Sequence, residues 1–138
     1  MLDDSFMREF PIYSRRVQFH ETDMAGVVHF SRILTYVEEA EHELMQGMGV
    51  PAMNVDGGFP KVRVAVEYSA PLRNGDEFEV KMKLVNIGET SLTWGFGIFV
   101  SEGLCVKGKL KTVLIDKSGK SKSIPSGWRE VFGGYLTE

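Results

Sequence analysis

The hydrophobic period of this chain switches from helical to alternating between residues 48 and 62, and that switch constrains the fold more than any other feature. Phe30, Ile33, Val37, Ala40, Leu44 and Met48 recur at three- and four-residue steps, with Leu34 and Met45 widening the stripe. This spacing predicts one amphipathic helix over Phe30–Met48. Its opposite face carries Glu38, Glu39, Glu41, His42 and Glu43, which reads as a solvated or interface surface. Ser31 is placed to cap the helix, and Gly47 or Gly49 with Pro51 behind it to end it. Past the loop "NVDGGFP" the period becomes two and stays two. Val62, Val64, Val66 and Tyr68 form one inward set, followed by Phe78, Val80, Met82 and Leu84. Leu92, Trp94, Phe96, Ile98 and Val100 form a third, and Leu104, Val106, Leu110, Thr112 and Leu114 a fourth. The connections "RNGDE", "NIGETS" and "SEG" carry turn residues, with Asn74-Gly75 suited to positive φ.

A short strand, "RRVQF" with Val17 and Phe19 on one face, precedes the helix, and a possible short helix ends the tail. Short connections favour antiparallel neighbours, and a one-faced sheet must bury its apolar side against the only long amphipathic partner available. The expected architecture is α+β: an antiparallel sheet curled around one central helix. At 138 residues a single domain spanning 1–138 is expected. The formal net charge of -3 gives no general pull toward nucleic acid. No apolar run reaches transmembrane length, so no membrane insertion is expected. The N-terminal stretch has no apolar core of a secretory leader, and the single cysteine, Cys105, can form no intramolecular disulfide. A cytoplasmic protein with a buried structural thiol is expected.

The chemistry concentrates in "HETDMAGVVHF", His20 to Phe30, between the first strand and the helix. Gly26 permits a tight turn. The helix N-terminus offers unpaired N–H donors and partial positive charge, which suit a developing oxyanion. A carboxylate beside it, Asp23, is able to attack a carbonyl or activate water. The simpler reading, that Asp23 only caps a turn, stays open on the residues alone.

"TDMAGVVHFSRILTYVEEAEHELMQGMG" resembles the signature segment of the 4-hydroxybenzoyl-CoA thioesterase family of hotdog-fold acyl-CoA thioesterases. The resemblance continues through "VRVAVEYSAPLRNGDEFEVKMKLVNIGETSLTWGFGIF" and covers roughly residues 12 to 115. It implies the hotdog fold and hydrolysis of an acyl-CoA to a carboxylic acid and free coenzyme A. No cofactor is implied, coenzyme A being part of the substrate. Position by position, it implies that Asp23 is the catalytic carboxylate, that the Phe30 N–H polarises the thioester carbonyl, and that Gly26 is the turn glycine. The Tol-Pal branch of the family has its His where Phe30 stands. Here the order is His29-Phe30, closer to the 4-hydroxybenzoyl branch, and His29 either orients water or substrate or simply packs. The resemblance also implies a homo-oligomer, dimer or tetramer, with sites at subunit interfaces.

Other signals are weaker. His20, Glu21, Asp23 and His29 match no compact zinc spacing, so no metal is expected. "GLCVKGK" approaches a phosphate loop but is followed by Leu110 and lies in a strand pattern. Lys107, Lys109 and Lys111 share a face by alternation, as do Lys81 and Lys83. Arg32, Lys61 and Arg63 are candidates for the coenzyme A phosphates. Two alternatives remain beside the hydrolase: a hydratase or dehydratase on the same scaffold using a helix Glu or His29, and a non-catalytic acyl-CoA-binding module.

Overall fold

A computed structural model describes residues 12–54 and 56–136. The N-terminal stretch read above for a leader lies largely outside them. Strand β1 (Ile12–Arg16) leads through a 3-10 turn (Phe19–Glu21) to helix α1 (Phe30–Met48). Two-residue strands β2 (Met53–Asn54) and β3 (Gly57–Gly58) follow. The long strands are β4 (Lys61–Tyr68), β5 (Glu77–Ile87), β6 (Ser91–Val100) and β7 (Gly103–Val113). Strand β8 (Ile115–Asp116) and helix α2 (Ser126–Gly133) close the chain. The main sheet runs β1-β5-β6-β7-β4, antiparallel throughout, and β2-β3-β8 form a small second sheet. This is the helix-in-sheet arrangement expected from the change of period.

Helix α1 has the expected bounds, but its cap differs. His29, in an extended conformation, is the N-cap and its Nδ1 accepts the Ser31 N–H at 3.3 Å, so Ser31 lies inside the first turn. At the other end Gly49, at φ 77°, supplies the left-handed residue that terminates the helix, and Gly47 lies within it. The buried face is Ile33, Tyr36, Val37, Ala40, Glu41, Leu44 and Met45. Phe30, expected in the stripe, is 63% exposed, whereas Tyr36 and Glu41 are buried. Glu41 departs from the expected solvated acidic face because Lys61 reaches it: Nζ lies 2.7 Å from Glu41 Oε1 and 3.5 Å from Glu38 Oε2. A charge of that kind is buried only where a partner neutralises it.

The inward sets of β5, β6 and β7 pack as their alternation predicts, with Phe78, Val80, Met82, Leu84, Trp94, Phe96, Ile98, Val106 and Leu110 all buried. Each such side chain stabilises by about 1.5–3 kcal/mol relative to exposure. Strand β4 alternates equally well, but Val62, Val64 and Tyr68 remain exposed. The reason is position. Helix α1 packs nearest β5 and β1, and β4 is the opposite edge of the sheet. The expected strand "RRVQF" also shifts: the sheet strand ends at Arg16, Val17 is buried, and Phe19 enters the 3-10 turn 77% exposed. That turn starts where the Gln18 N–H donates to the Glu21 carboxylate at 2.8 Å.

Candidate active site

The segment after the 3-10 turn folds back on itself. Thr22 bridges Val28, the Asp23 N–H donates to Val27 O at 2.9 Å, and the Gly26 N–H donates to Asp23 O at 2.9 Å. Gly26 sits at φ 76°, where a side chain is strained, so glycine fits the sequence position for a conformational reason. The loop before β5 clamps the outer arm of this hairpin: the Val28 N–H donates to Leu72 O and the Asn74 N–H to Gly26 O, both at 2.9 Å.

Within the hairpin the Asp23 side chain is exposed. Its Oδ1 accepts the Ala25 N–H at 2.8 Å and the Val27 N–H at 3.2 Å. Both turn-forming bonds fall on one oxygen. Among the described residues Oδ2 accepts no hydrogen bond, which leaves it open to water or substrate. The turn-capping reading of Asp23 is therefore realised without consuming the carboxylate.

The hairpin runs directly into α1. Phe30 is its first residue, and its N–H is one of the donors that a helix leaves without an internal partner. No acceptor among the described residues takes it. The Phe30 carbonyl is held by the Tyr68 hydroxyl of β4 at 3.1 Å. The Phe30 ring packs against His29, centroids 4.5 Å apart, and edge-on to Tyr68 at 6.3 Å. Met24, next to Asp23, is fully exposed and Phe19 is 77% exposed, so the hairpin that carries Asp23 and the helix start present an uncovered apolar and aromatic rim. A cleft of about 640 Å³ between β1, β5 and β6 includes no residue of the hairpin. Chemistry, not cavity size, locates the site.

The other candidates separate. Asp23, Gly26, His29 and Phe30 come together in one hairpin and helix start. His29 is committed through Nδ1 to Ser31, with the Ser31 hydroxyl at 2.7 Å. Arg32 is exposed in the first turn of α1. Lys61 is held by Glu41 and Glu38, and Arg63 lies across from Lys111 on the outer sheet face. Lys81, Lys83, Lys107 and Lys109 share that outer face, flanking Gly95 and Gly97. No group of three His, Cys, Asp or Glu among the described residues is arranged to hold a metal ion.

One residue next to the site escaped the sequence reading except as a discarded metal ligand. Glu21 is 7% exposed, and its Oε1 accepts the Gln18 N–H, the Tyr36 hydroxyl at 3.0 Å and the Arg15 guanidinium. Burial pushes its carboxyl up, but the Gln18 N–H, Arg15 and Tyr36 outweigh burial and hold it below the usual range. Burial and the Glu21 carboxylate push the Tyr36 hydroxyl well above the usual range. Arg15 also pairs with Glu39 at 2.9 Å, and Tyr13 donates to Glu39 at 2.7 Å. The one available signal was an acid at a strand exit with Arg15 upstream and a tyrosine, Tyr36, on the helix face.

Residues 17–132 match the model of the thioesterase-like superfamily. A putative esterase of Aquifex aeolicus is 37% identical over 87% of this chain and 95% of its own length. A 1,4-dihydroxy-2-naphthoyl-CoA hydrolase of a Synechococcus strain is 29% identical over 83% of each chain. The solved structure of a gentisyl-coenzyme A thioesterase superposes with a TM-score of 0.82 at 25% identity, covering 88% of this chain and 99% of that one.

Proposed function

This chain belongs to the thioesterase-like superfamily and is a thioester hydrolase, and from that premise we propose that it hydrolyses an aromatic acyl-CoA, with Asp23 as nucleophile or general base. The observation that carries the reading is that Asp23 keeps Oδ2 open on the same short hairpin that ends at the unclaimed Phe30 N–H. The N–H stabilises the negative charge that develops on the thioester oxygen. Asp23 either adds to the carbonyl carbon, giving an acyl-enzyme anhydride that water then cleaves, or takes a proton from the attacking water. The thiolate of coenzyme A leaves with little need of protonation, which explains why one carboxylate and one amide suffice. Gly26 sets the hairpin that presents the carboxylate, and His29 caps the helix that presents the amide.

The aromatic acyl class is supported by the open faces of Phe30 and Tyr68 beside the amide and by relatives named for dihydroxynaphthoyl-CoA and gentisyl-CoA. Placement in the 4-hydroxybenzoyl branch specifically rests on the His29-Phe30 order. Arg32 is the best placed of the candidate phosphate ligands, since Lys61 is already ion-paired and Arg63 lies on the outer sheet face. The uncovered β4 edge and the apolar rim around Asp23 support a homo-oligomer, dimer or tetramer, that completes the site; equilibrium sedimentation at one chain mass argues against it. A cytoplasmic location remains part of the proposal. No helix among the described residues is long and apolar enough to cross a membrane.

The test is thiol release from a panel of aromatic and aliphatic acyl-CoA esters, wild type beside Asp23→Asn. Aromatic esters turned over by the wild type, with a loss of about a hundredfold or more in the variant, are expected. Equal rates in both remove Asp23 from the chemistry and pass it to His29 or a helix glutamate. Binding without turnover favours the binding module.

A further inference from the structure

Glu21 takes no part in the chemistry above, yet it is a buried carboxylate at the exact entrance to the Asp23 hairpin, with three donors on one oxygen. We propose that Glu21 is a positioning residue: by accepting the Tyr36 hydroxyl, it locks the hairpin that carries Asp23 to the helix that carries the Phe30 N–H. This inference rests on the role proposed for Asp23.

The geometry is that of a closed ring. At its far end the hairpin is joined to α1 covalently, through His29 and Phe30. At its near end Glu21 is bonded to Tyr36, ~9 Å further along the same helix at ~1.5 Å per residue. With both ends tied to one helix, the hairpin can neither slide along α1 nor swing away from it. Arg15 adds a tie to β1, its guanidinium bonded to Glu21 and stacked over the Tyr36 ring at 4.9 Å. Apolar packing alone would fill the same space, but it fixes no direction. A buried carboxylate oxygen with three directed donors does, at a desolvation cost that a merely space-filling residue would not incur. The separation of Asp23 from the Phe30 N–H is the quantity the ring holds. Displacements of about 1 Å in such a pair cost up to about a hundredfold in rate.

The experiment compares wild type, Glu21→Gln, Tyr36→Phe, Asp23→Asn and the Tyr36→Phe/Asp23→Asn double variant, using the ester that the wild type hydrolyses best. Tyr36→Phe keeps the ring beneath Arg15 and deletes only the hydroxyl, so it remains informative if Glu21→Gln does not fold. Readouts are kcat, KM and hydrogen exchange at the Asp23, Gly26 and Val28 amides, which are bonded in or to the hairpin. In folded Tyr36→Phe we expect kcat to fall about tenfold or more, KM to change less than about threefold, and hairpin exchange to accelerate. In the Asp23→Asn background the same change should have no further effect, because no carboxylate is left to position. Unchanged kcat in Tyr36→Phe, or a second full loss in the double variant, overturns the proposal. Wild-type turnover in Asp23→Asn overturns the role of Asp23 itself and the positioning role with it. The exchange data separate these failures, since they report whether the ring holds the hairpin whatever the chemistry does.

Discussion

Glu21 and Asp23 are separated by one residue and live in opposite surroundings. The first is buried at the junction of β1, the 3-10 turn and α1, with three donors on one oxygen. The second is exposed at a hairpin tip, with one oxygen engaged by backbone and the other open. Glu21 gathers a backbone, a guanidinium and a phenol donor on one buried oxygen and so ties three elements together, whereas Asp23 holds only its own turn and presents its second oxygen to solvent. The same division runs across the sheet. The β1 edge is sealed to α1 by Tyr13, Arg15 and Glu39, while the β4 edge leaves Val62, Val64 and Tyr68 uncovered. Strand β4 reaches α1 through Lys61 and Tyr68 at its two ends, and Val62 and Val64 beside Lys61 stay at the surface.

Three measurements would break or sharpen this contrast. The largest effect on stability is expected from Arg15→Met, which strands the buried Glu21 and loosens Glu39. A loss of about 2–3 kcal/mol in urea unfolding is expected, somewhat under the full cost of breaking a buried pair because Arg15 is 22% exposed. A loss under about 0.5 kcal/mol would mean that Glu21 is held adequately by Gln18 and Tyr36 alone. The second measurement is acid unfolding. The folded carboxyl of Glu21 lies below its unfolded value, so its contribution is complete above the unfolded pKa of about 4.3 and is lost as pH falls through the folded value. The urea midpoint of wild type should therefore drop between about pH 5 and pH 3 by more than that of Glu21→Gln. Parallel declines would show that other carboxylates carry the acid sensitivity. The smallest effect is expected from Tyr68→Phe. It removes one half-exposed hydrogen bond to Phe30 O, worth about 0.5–1 kcal/mol, and leaves the ring in place. A larger loss in melting would make Tyr68 a stronger brace of the helix start than its exposure suggests.

The helix and the four long strands were legible because period is a local property: side chains three or four apart share a helix face, and alternate ones share a strand face. Burial is not local. Val62 and Val80 are each flanked by two charged residues, yet only Val80 lies beneath α1, since strand order decides which apolar set the helix covers. The same reason explains Glu41. Its polar character predicted solvent, and only the approach of Lys61 from β4 made burial possible. Phe19 and Ser31 erred by a turn or less, because cap geometry depends on which side chain the backbone N–H groups reach first.

The candidate site divides in the same way. "TDMAGVVHF" by itself determined a carboxylate, a left-handed glycine and a helix start within one short segment, because all three are written in consecutive residues. The tertiary structure decided that Tyr68 braces Phe30 and that Glu21 is bound to Arg15 and Tyr36. The Tyr36–Glu21 and Tyr68–Phe30 contacts join residues 15 and 38 positions apart. Their energies depend on desolvation and direction, which only the folded arrangement sets.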